Sequence, residues 1–75
     1  KMKYIVTVPP TMEQGSYKTI VAGSVYQTIK QEALQDYNSA RDHDGLSPLK
    51  RMPKGTIYEV QRSFYADFKK QGGRK

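Results

Sequence analysis

Two short runs of β-branched and aromatic residues open the chain, separated by a polar connection. The first run covers residues 4–8 and ends at Pro9 and Pro10, which lack the backbone N–H that a strand interior uses. The second run covers residues 16–22 and follows the polar residues 11–15. A short connection between two such runs predicts an antiparallel strand pair.

Beyond the second run, apolar positions recur at helical spacing. Ser24 and Gln27 have the S-x-x-Q spacing of a capping box, so the helix is predicted to open at Ser24. Gly45 suits the position just past the end of this helix. Leu34 lies off the apolar stripe, and we expect it to be partly exposed. The stripe itself comprises Val25, Tyr26, Ile29, Ala33, Tyr37 and Ala40.

The last third of the chain fits two structures. Residues 46–55 contain two prolines and are predicted to form an ordered loop. Residues 56–60 have strand composition, yet Thr56 and Glu59 again have capping-box spacing. A helix would also align Ile57, Val60, Phe64 and Phe68 on one face. Because a two-stranded hairpin with one helix makes a poor core, we expect a strand over 56–62, followed by a short helical turn through Phe68.

These elements predict an α+β fold in a single domain over residues 1–70. We expect a small antiparallel sheet of two or three strands with one amphipathic helix packed on it, and a basic, flexible C-terminus. Residues 71–75 are predicted to be a disordered basic tail. The predicted core consists of Val6, Val8, Ile20, Val25, Ile29, Ala33, Tyr37 and Ile57.

The positive charge is concentrated at one end of the chain. The 75 residues carry a net charge of +6, and all of it falls in residues 50–75. Residues 1–49 hold five basic and five acidic side chains, whereas residues 50–75 hold eight basic and two acidic ones. This asymmetry indicates an acidic partner, and a solubilising basic tail is the alternative explanation.

The sequence offers little for catalysis. Cysteine is absent, which excludes disulfides and cysteine-based zinc sites and favours a reducing cytosol. The one histidine, His43, lies between Asp42 and Asp44, and we interpret it as a solvated helix end rather than a metal ligand or a general base. No phosphate-binding glycine motif occurs. We therefore expect no enzyme, no cofactor, no metal and no small-molecule substrate. No apolar run approaches membrane-spanning length, so no membrane partner is expected.

The candidate partner-binding residues are basic side chains with nearby aromatic ones. Three of them cluster in the loop, and the others interleave with aromatic residues towards the C-terminus. Such a pattern suits an acidic protein surface, stacking on nucleic-acid bases, or, in the simplest case, a solvated surface. The predicted set is Lys50, Arg51, Lys54, Arg62, Tyr65, Lys69 and Lys70.

The order of elements over most of residues 3–62 resembles small bacteriophage host-takeover proteins that bind bacterial RNA polymerase, and it is also similar to some anti-CRISPR proteins. The resemblance lies in two strands that close on Ala22-Gly23-Ser24, the helix from Val25, and a Pro-x-Gly that leads into a β-rich segment over 53–60. The known inhibitors share no strict binding motif, so no residue role carries over, and the compact members lack the basic C-terminal extension.

This resemblance implies a phage-encoded regulator in the cytoplasm of its bacterial host. Such a protein would bind host RNA polymerase subunits and inhibit or redirect transcription, through promoter use or antitermination, without chemistry of its own. The alternatives are direct binding of nucleic acid, for which the basic end carries sufficient charge, and an anti-CRISPR function. Signatures of helix-turn-helix, zinc-finger and RRM domains are absent from the sequence.

Overall fold

The computed structural model describes residues 2–61, in which the chain forms three strands and one helix. The elements follow the order β1 (Met2–Val8), β2 (Tyr17–Gly23), α1 (Tyr26–His43) and β3 (Ile57–Val60). The strands form one antiparallel sheet and α1 packs on it, so the predicted α+β class is confirmed. The predicted helical turn through Phe68 and the predicted disordered tail over 71–75 lie outside the described residues.

Strand β1 lies at the centre of the sheet, in the strand order β2-β1-β3. Val6 pairs with Thr19 of β2 on one side and with Tyr58 of β3 on the other. Because both neighbours are antiparallel to β1, β2 and β3 run in the same direction. Strands with this relation need a long connection, and α1 with the loop that follows it provides that connection.

The segment after the loop is a strand, as expected. Ile57–Val60 pairs with residues 4–7, and the backbone N–H of Gln61 donates to the carbonyl of Lys3 at 2.7 Å. The helical alternative is therefore wrong over residues 57–60. Arg62, at which we expected the strand to end, lies outside the described residues.

A turn directly before β3 explains why Thr56 does not cap a helix. The Thr56 hydroxyl donates to the carbonyl of Pro53 at 2.6 Å, and its backbone N–H donates to the same oxygen at 3.3 Å. Gly55, the third residue of this turn, has a φ of 88°. A type II turn requires positive φ at this position, and glycine adopts it without a steric penalty.

The capping box predicted at Ser24 is wrong. The N-cap residue is Val25, with φ −120° and ψ 147°, and no side chain caps the helix N-terminus. The first turn begins where the N–H of Ile29 donates to the carbonyl of Val25 at 3.1 Å. Ser24 thus stands one residue too early for its hydroxyl to act at the N-cap. Gly23 packs closely against the first helical turn, since a Cβ on it would lie 2.7 Å from Cδ1 of Ile29.

The end of the helix is as predicted. Gly45 has a φ of 77° and follows the C-cap residue Asp44. Its N–H donates to the carbonyl of Asp42 at 3.0 Å, and the N–H of Leu46 donates to that of Arg41 at 2.8 Å. These two bonds form a Schellman motif, which satisfies carbonyls that the last helical turn leaves without partners.

The core lies between α1 and the sheet face that it covers. Five of the eight predicted core residues are buried, namely Val6, Val8, Ile29, Ala33 and Tyr37. Val21 is also buried and belongs to the same cluster, although the pattern did not single it out. Leu34 is half-buried, in agreement with the prediction.

The other three predicted core residues are exposed. Ile20 is 54% exposed, Val25 61% and Ile57 53%. Ile20 and Ile57 lie on the sheet face opposite to α1, because successive side chains of a strand point to opposite faces and Val21 and Tyr58 take the helix side. Val25 precedes the first helical residue, so its side chain lies beyond the part of α1 that covers the sheet.

Arg41 is buried in α1 to 3% exposure, which the sequence analysis did not anticipate. Its guanidinium donates to Glu13 Oε1 at 2.8 Å and to Gln14 Oε1 at 3.3 Å, both in the β1–β2 connection. It also donates to the carbonyl of Ser47, in the loop after the helix. One side chain therefore ties two connections to the C-terminal end of α1.

No helix in residues 2–61 is long and apolar enough to cross a membrane.

Candidate partner-binding groove

A groove lies where the first half of α1 faces the loop before β3. We name it the basic groove, and its cavity volume is about 460 Å³. Helix α1 forms one wall, the loop forms the other, and β3 contributes at one end. The side chains that define it are Tyr26, Lys30, Leu34, Lys50, Arg51, Met52 and Tyr58.

The charges that line the groove are all positive. Lys30 comes from α1, and Lys50 and Arg51 come from the loop, so both walls supply cations. Among the described residues, no aspartate or glutamate lines the groove. An opening with cations on both walls and no carboxylate to neutralise them favours an anionic ligand.

Two tyrosines meet at one end of the groove. The rings of Tyr26 and Tyr58 pack edge to face, with centroids 5.6 Å apart and planes inclined by 77°. Nζ of Lys30 lies 5.3 Å from the centroid of Tyr26. Burial, and secondarily the neighbouring Tyr26, raises the pKa of Tyr58 above its ordinary value of 10.0. The Tyr58 hydroxyl, like an ordinary phenol, is protonated at neutral pH and can donate a hydrogen bond.

The floor of the groove is apolar and continuous with the protein core. Leu34 and Met52 are half-buried. Met52 and Tyr58 also pack against the buried cluster that contains Val6 and Val21. The groove therefore combines a cationic rim with an apolar floor that is supported from below.

The loop wall is held to the helix by one asparagine. Nδ2 of Asn38 donates to the carbonyl of Leu49 at 3.0 Å, and Oδ1 of Asn38 accepts from the N–H of Leu49 at 2.8 Å. Leu49 packs against the core, and Lys50 and Arg51 follow it directly. The two exposed cations thus extend from a residue whose backbone is fixed on both sides.

The predicted partner-binding residues fall into three groups. Lys50 and Arg51 line the groove, as a binding role requires. Lys54 is exposed in the turn before β3 and is not among the lining residues. The remaining four, which are Arg62, Tyr65, Lys69 and Lys70, lie outside the described residues.

Five of the seven side chains that define the groove were missed as site residues, Leu34 and Met52 among them. Tyr26 was assigned to the apolar stripe of the helix, Tyr58 to the strand, and Lys30 to no role. The spacing of Tyr26 and Lys30, four positions apart on a helix, places them on one face and was the available signal. Nothing in the sequence linked this pair to Tyr58, which lies 32 positions after Tyr26 and 28 after Lys30.

The surroundings of His43 hold no cluster suited to a metal. His43 borders a second depression, together with Tyr17, Asp36, Ser39, Ala40 and Asp44. Within residues 2–61, no group of three or more His, Asp, Glu or Cys side chains comes close enough together to hold a metal ion.

No protein-family model matches this chain, and neither the curated proteins nor the solved structures contain a match to it.

Proposed function

We propose that this protein is a non-catalytic regulator that docks through the basic groove on an acidic surface of a bacterial RNA polymerase. The observation that carries the proposal is the lining of the groove, in which Lys30, Lys50 and Arg51 surround an apolar floor without a carboxylate among the described residues. The sequence resemblance to phage proteins that bind RNA polymerase supplies the identity of the partner. The bacterial cytoplasm is the compartment in which the two proteins would meet.

The side chains of the groove suit binding better than catalysis. The described lining consists of amines, a guanidinium, phenols, amides, a hydroxyl and apolar groups. General acid–base and nucleophilic catalysis usually rely on a histidine, carboxylate or cysteine set close to a second polar group. None of these three residue types lines the groove in the described part of the chain.

The exposed cations have a definite role in such an interface. Lys50 and Arg51 are solvent-exposed, so they attract an acidic surface while the two proteins are still approaching each other. Charges of this kind mainly raise the association rate and lose their effect as salt increases. The apolar floor would then supply contact area that depends little on salt.

The test measures binding of the full chain to purified RNA polymerase from several bacterial genera by biolayer interferometry at physiological salt. Lys50→Glu and Arg51→Glu are introduced together. We expect at least a tenfold loss of affinity. The matched control combines Lys3→Glu and Lys18→Glu, which change the net charge equally but lie on the sheet face opposite to α1.

Equal losses in both double variants would mean that net charge, rather than the groove, drives binding. Failure of the wild-type protein to bind any of the polymerases would refute the proposed partner. Circular dichroism of each variant confirms that the fold persists, since exposed charges usually alter stability by only about 0.5 kcal/mol each.

A further inference from the structure

The size of the basic groove limits what can enter it. Its volume of about 460 Å³ lies within the range of about 300–1,000 Å³ that is typical of small-molecule pockets. A folded surface cannot fill such a space, but one or two protruding side chains can. The half-buried Leu34 and Met52 offer contacts to an apolar side chain, whose burial against them is favourable.

The cations at the rim of the groove favour acidic residues on either side of the inserted side chain. Lys30 stands on the helix wall, and Lys50 and Arg51 stand on the loop wall. Carboxylates on either side of an inserted apolar residue would therefore each meet a cation. Arginine can hold a carboxylate through two parallel hydrogen bonds, which adds geometric selectivity to the attraction.

The aromatic end of the groove has one exposed ring, since Tyr26 is 55% exposed, but no pair of rings that could sandwich a nucleic-acid base. A base stacks on an accessible aromatic face. One flank of Tyr26 is already occupied by Lys30, whose Nζ lies 5.3 Å from the ring centroid. The rings of Tyr26 and Tyr58 meet at 77°, so they offer no parallel pair between which a base could insert.

We infer that the basic groove binds a short acidic segment of the partner protein, with one apolar or aromatic side chain of that segment inserted over Leu34 and Met52. This inference rests on the proposed function and specifies what the groove recognises on the partner. Lys30, Lys50 and Arg51 pair with the acidic residues of the segment. The floor provides selectivity for the inserted side chain, which charge alone does not provide.

The test uses fluorescence anisotropy with the full chain and two labelled peptides. The first peptide has six acidic residues around a central Leu-Phe pair, and the second has Ala-Ala in place of that pair. We expect the Leu-Phe peptide to bind at least tenfold more tightly. A heptanucleotide of single-stranded DNA, which carries the same charge, should bind more weakly than the Leu-Phe peptide.

Variants of the groove separate the two parts of the inference. Met52→Gln should remove most of the preference for Leu-Phe, while Lys30→Gln should weaken both peptides by a similar factor. Lys18→Gln, on the opposite sheet face, lowers the net charge equally and should weaken both peptides less than Lys30→Gln does. Leu34→Gln repeats the floor test at a second half-buried position if Met52→Gln does not fold, and circular dichroism monitors both.

Three results would overturn the inference: equal affinity for the two peptides, tighter binding of the oligonucleotide, or binding of neither peptide. The outcome is independent of the polymerase measurement. A polymerase that binds through Lys50 and Arg51 while the peptides do not bind would refute the acidic segment alone. Peptides that bind while no polymerase does would refute the proposed partner and leave the recognition of an acidic segment supported.

Discussion

Gly45 has the backbone conformation on which the end of α1 depends. Its φ of 77° lies in the left-handed region, where a Cβ meets steric resistance. Gly45→Ala should lower the free energy of unfolding by about 1 kcal/mol. For a domain of this size, that corresponds to a fall in the melting temperature of about 4–8 °C, which calorimetry can measure.

Gly15→Ala is the matched control for this change. Gly15 has no positive φ, and an added Cβ would meet nothing within 4 Å. This substitution should leave the melting temperature unchanged or raise it slightly, since alanine reduces the freedom of the unfolded chain. A loss at Gly15 equal to that at Gly45 would contradict the conformational argument.

Arg41 is a buried charge with several partners, which makes it sensitive to replacement. Arg41→Ala removes the contacts to Glu13 and Gln14 and leaves the carbonyl of Ser47 without its donor. We expect a loss of about 2 kcal/mol in the free energy of unfolding, measured by urea denaturation. Arg51→Ala, at an exposed arginine, is the control and should stay within about 0.5 kcal/mol of wild type.

Glu13 should matter less than Arg41, although the two form one ion pair. The Glu13 side chain is 54% exposed, whereas that of Arg41 is 4% exposed. Water can solvate the carboxylate if Arg41 is removed, and Gln14 and Ser47 still hold the guanidinium if Glu13 is removed. Both variants remove the ion pair, so a greater loss for Glu13→Ala than for Arg41→Ala would show that a buried guanidinium without its carboxylate costs more than the lost ties to the two connections.

At the scale of elements, the side chains of β2 show that only one face of the sheet is covered. Val21 is 4% exposed and faces α1, whereas the adjacent Ile20 is 54% exposed on the opposite face. Val21→Ala should therefore cost about 2 kcal/mol, and Ile20→Ala should change the free energy of unfolding by less than about 0.5 kcal/mol. Similar losses at both positions, measured by urea denaturation, would indicate that the second face is also covered.

The same strand shows what the sequence could and could not predict. Its β-rich composition was sufficient to locate it, and the antiparallel pairing followed from the short connection to β1. Composition did not reveal which face α1 covers, because Ile20 and Val21 are equally apolar. The face is settled only in the folded chain, where α1 begins after Val25 and packs over Val21.

The groove was predictable only in its local part. Lys50 and Arg51 are adjacent in sequence, so their cluster was visible directly. Tyr26 and Tyr58 are far apart in the chain and meet because β3, paired with β1, presents Tyr58 on the sheet face that carries α1. Contacts of this kind depend on the order of the strands in the sheet. Composition and periodicity predicted that the sheet has two or three strands but did not predict their order.

Asn38 links helix and loop, so its loss should affect both stability and binding. Asn38→Ala removes both hydrogen bonds to the backbone of Leu49. We expect a cost of about 1–2 kcal/mol, measured by urea denaturation, because the half-buried N–H and carbonyl of Leu49 both lose their partner. Affinity for the acidic Leu-Phe peptide should also fall, since Lys50 and Arg51 follow the released residue.

Gln35→Ala tests whether this effect is specific to the link. Gln35 lies on the same helix and is exposed, so its replacement should alter neither stability nor peptide affinity. If Asn38→Ala destabilised the protein without changing the affinity for the peptide, the positions of Lys50 and Arg51 would not depend on the hydrogen bonds between Asn38 and Leu49.

At the scale of the whole molecule, most of the charge lies outside the described fold. Residues 2–61 carry seven basic and six acidic side chains, whereas the full chain carries a net charge of +6. The specific recognition proposed for the groove therefore comes from a nearly neutral region of the chain. The overall positive charge is a separate property and should act on any polyanion.

This separation leads to a prediction about free nucleic acid. The full chain should bind duplex DNA weakly and without sequence preference, and its affinity should fall about tenfold or more between 50 and 200 mM salt. The double variants Lys50→Glu/Arg51→Glu and Lys3→Glu/Lys18→Glu each lower the net charge equally. Both should weaken DNA binding by a similar factor in anisotropy titrations, although only the first should weaken binding to polymerase. A selective loss of DNA binding in the groove variant would instead make nucleic acid the ligand of the groove.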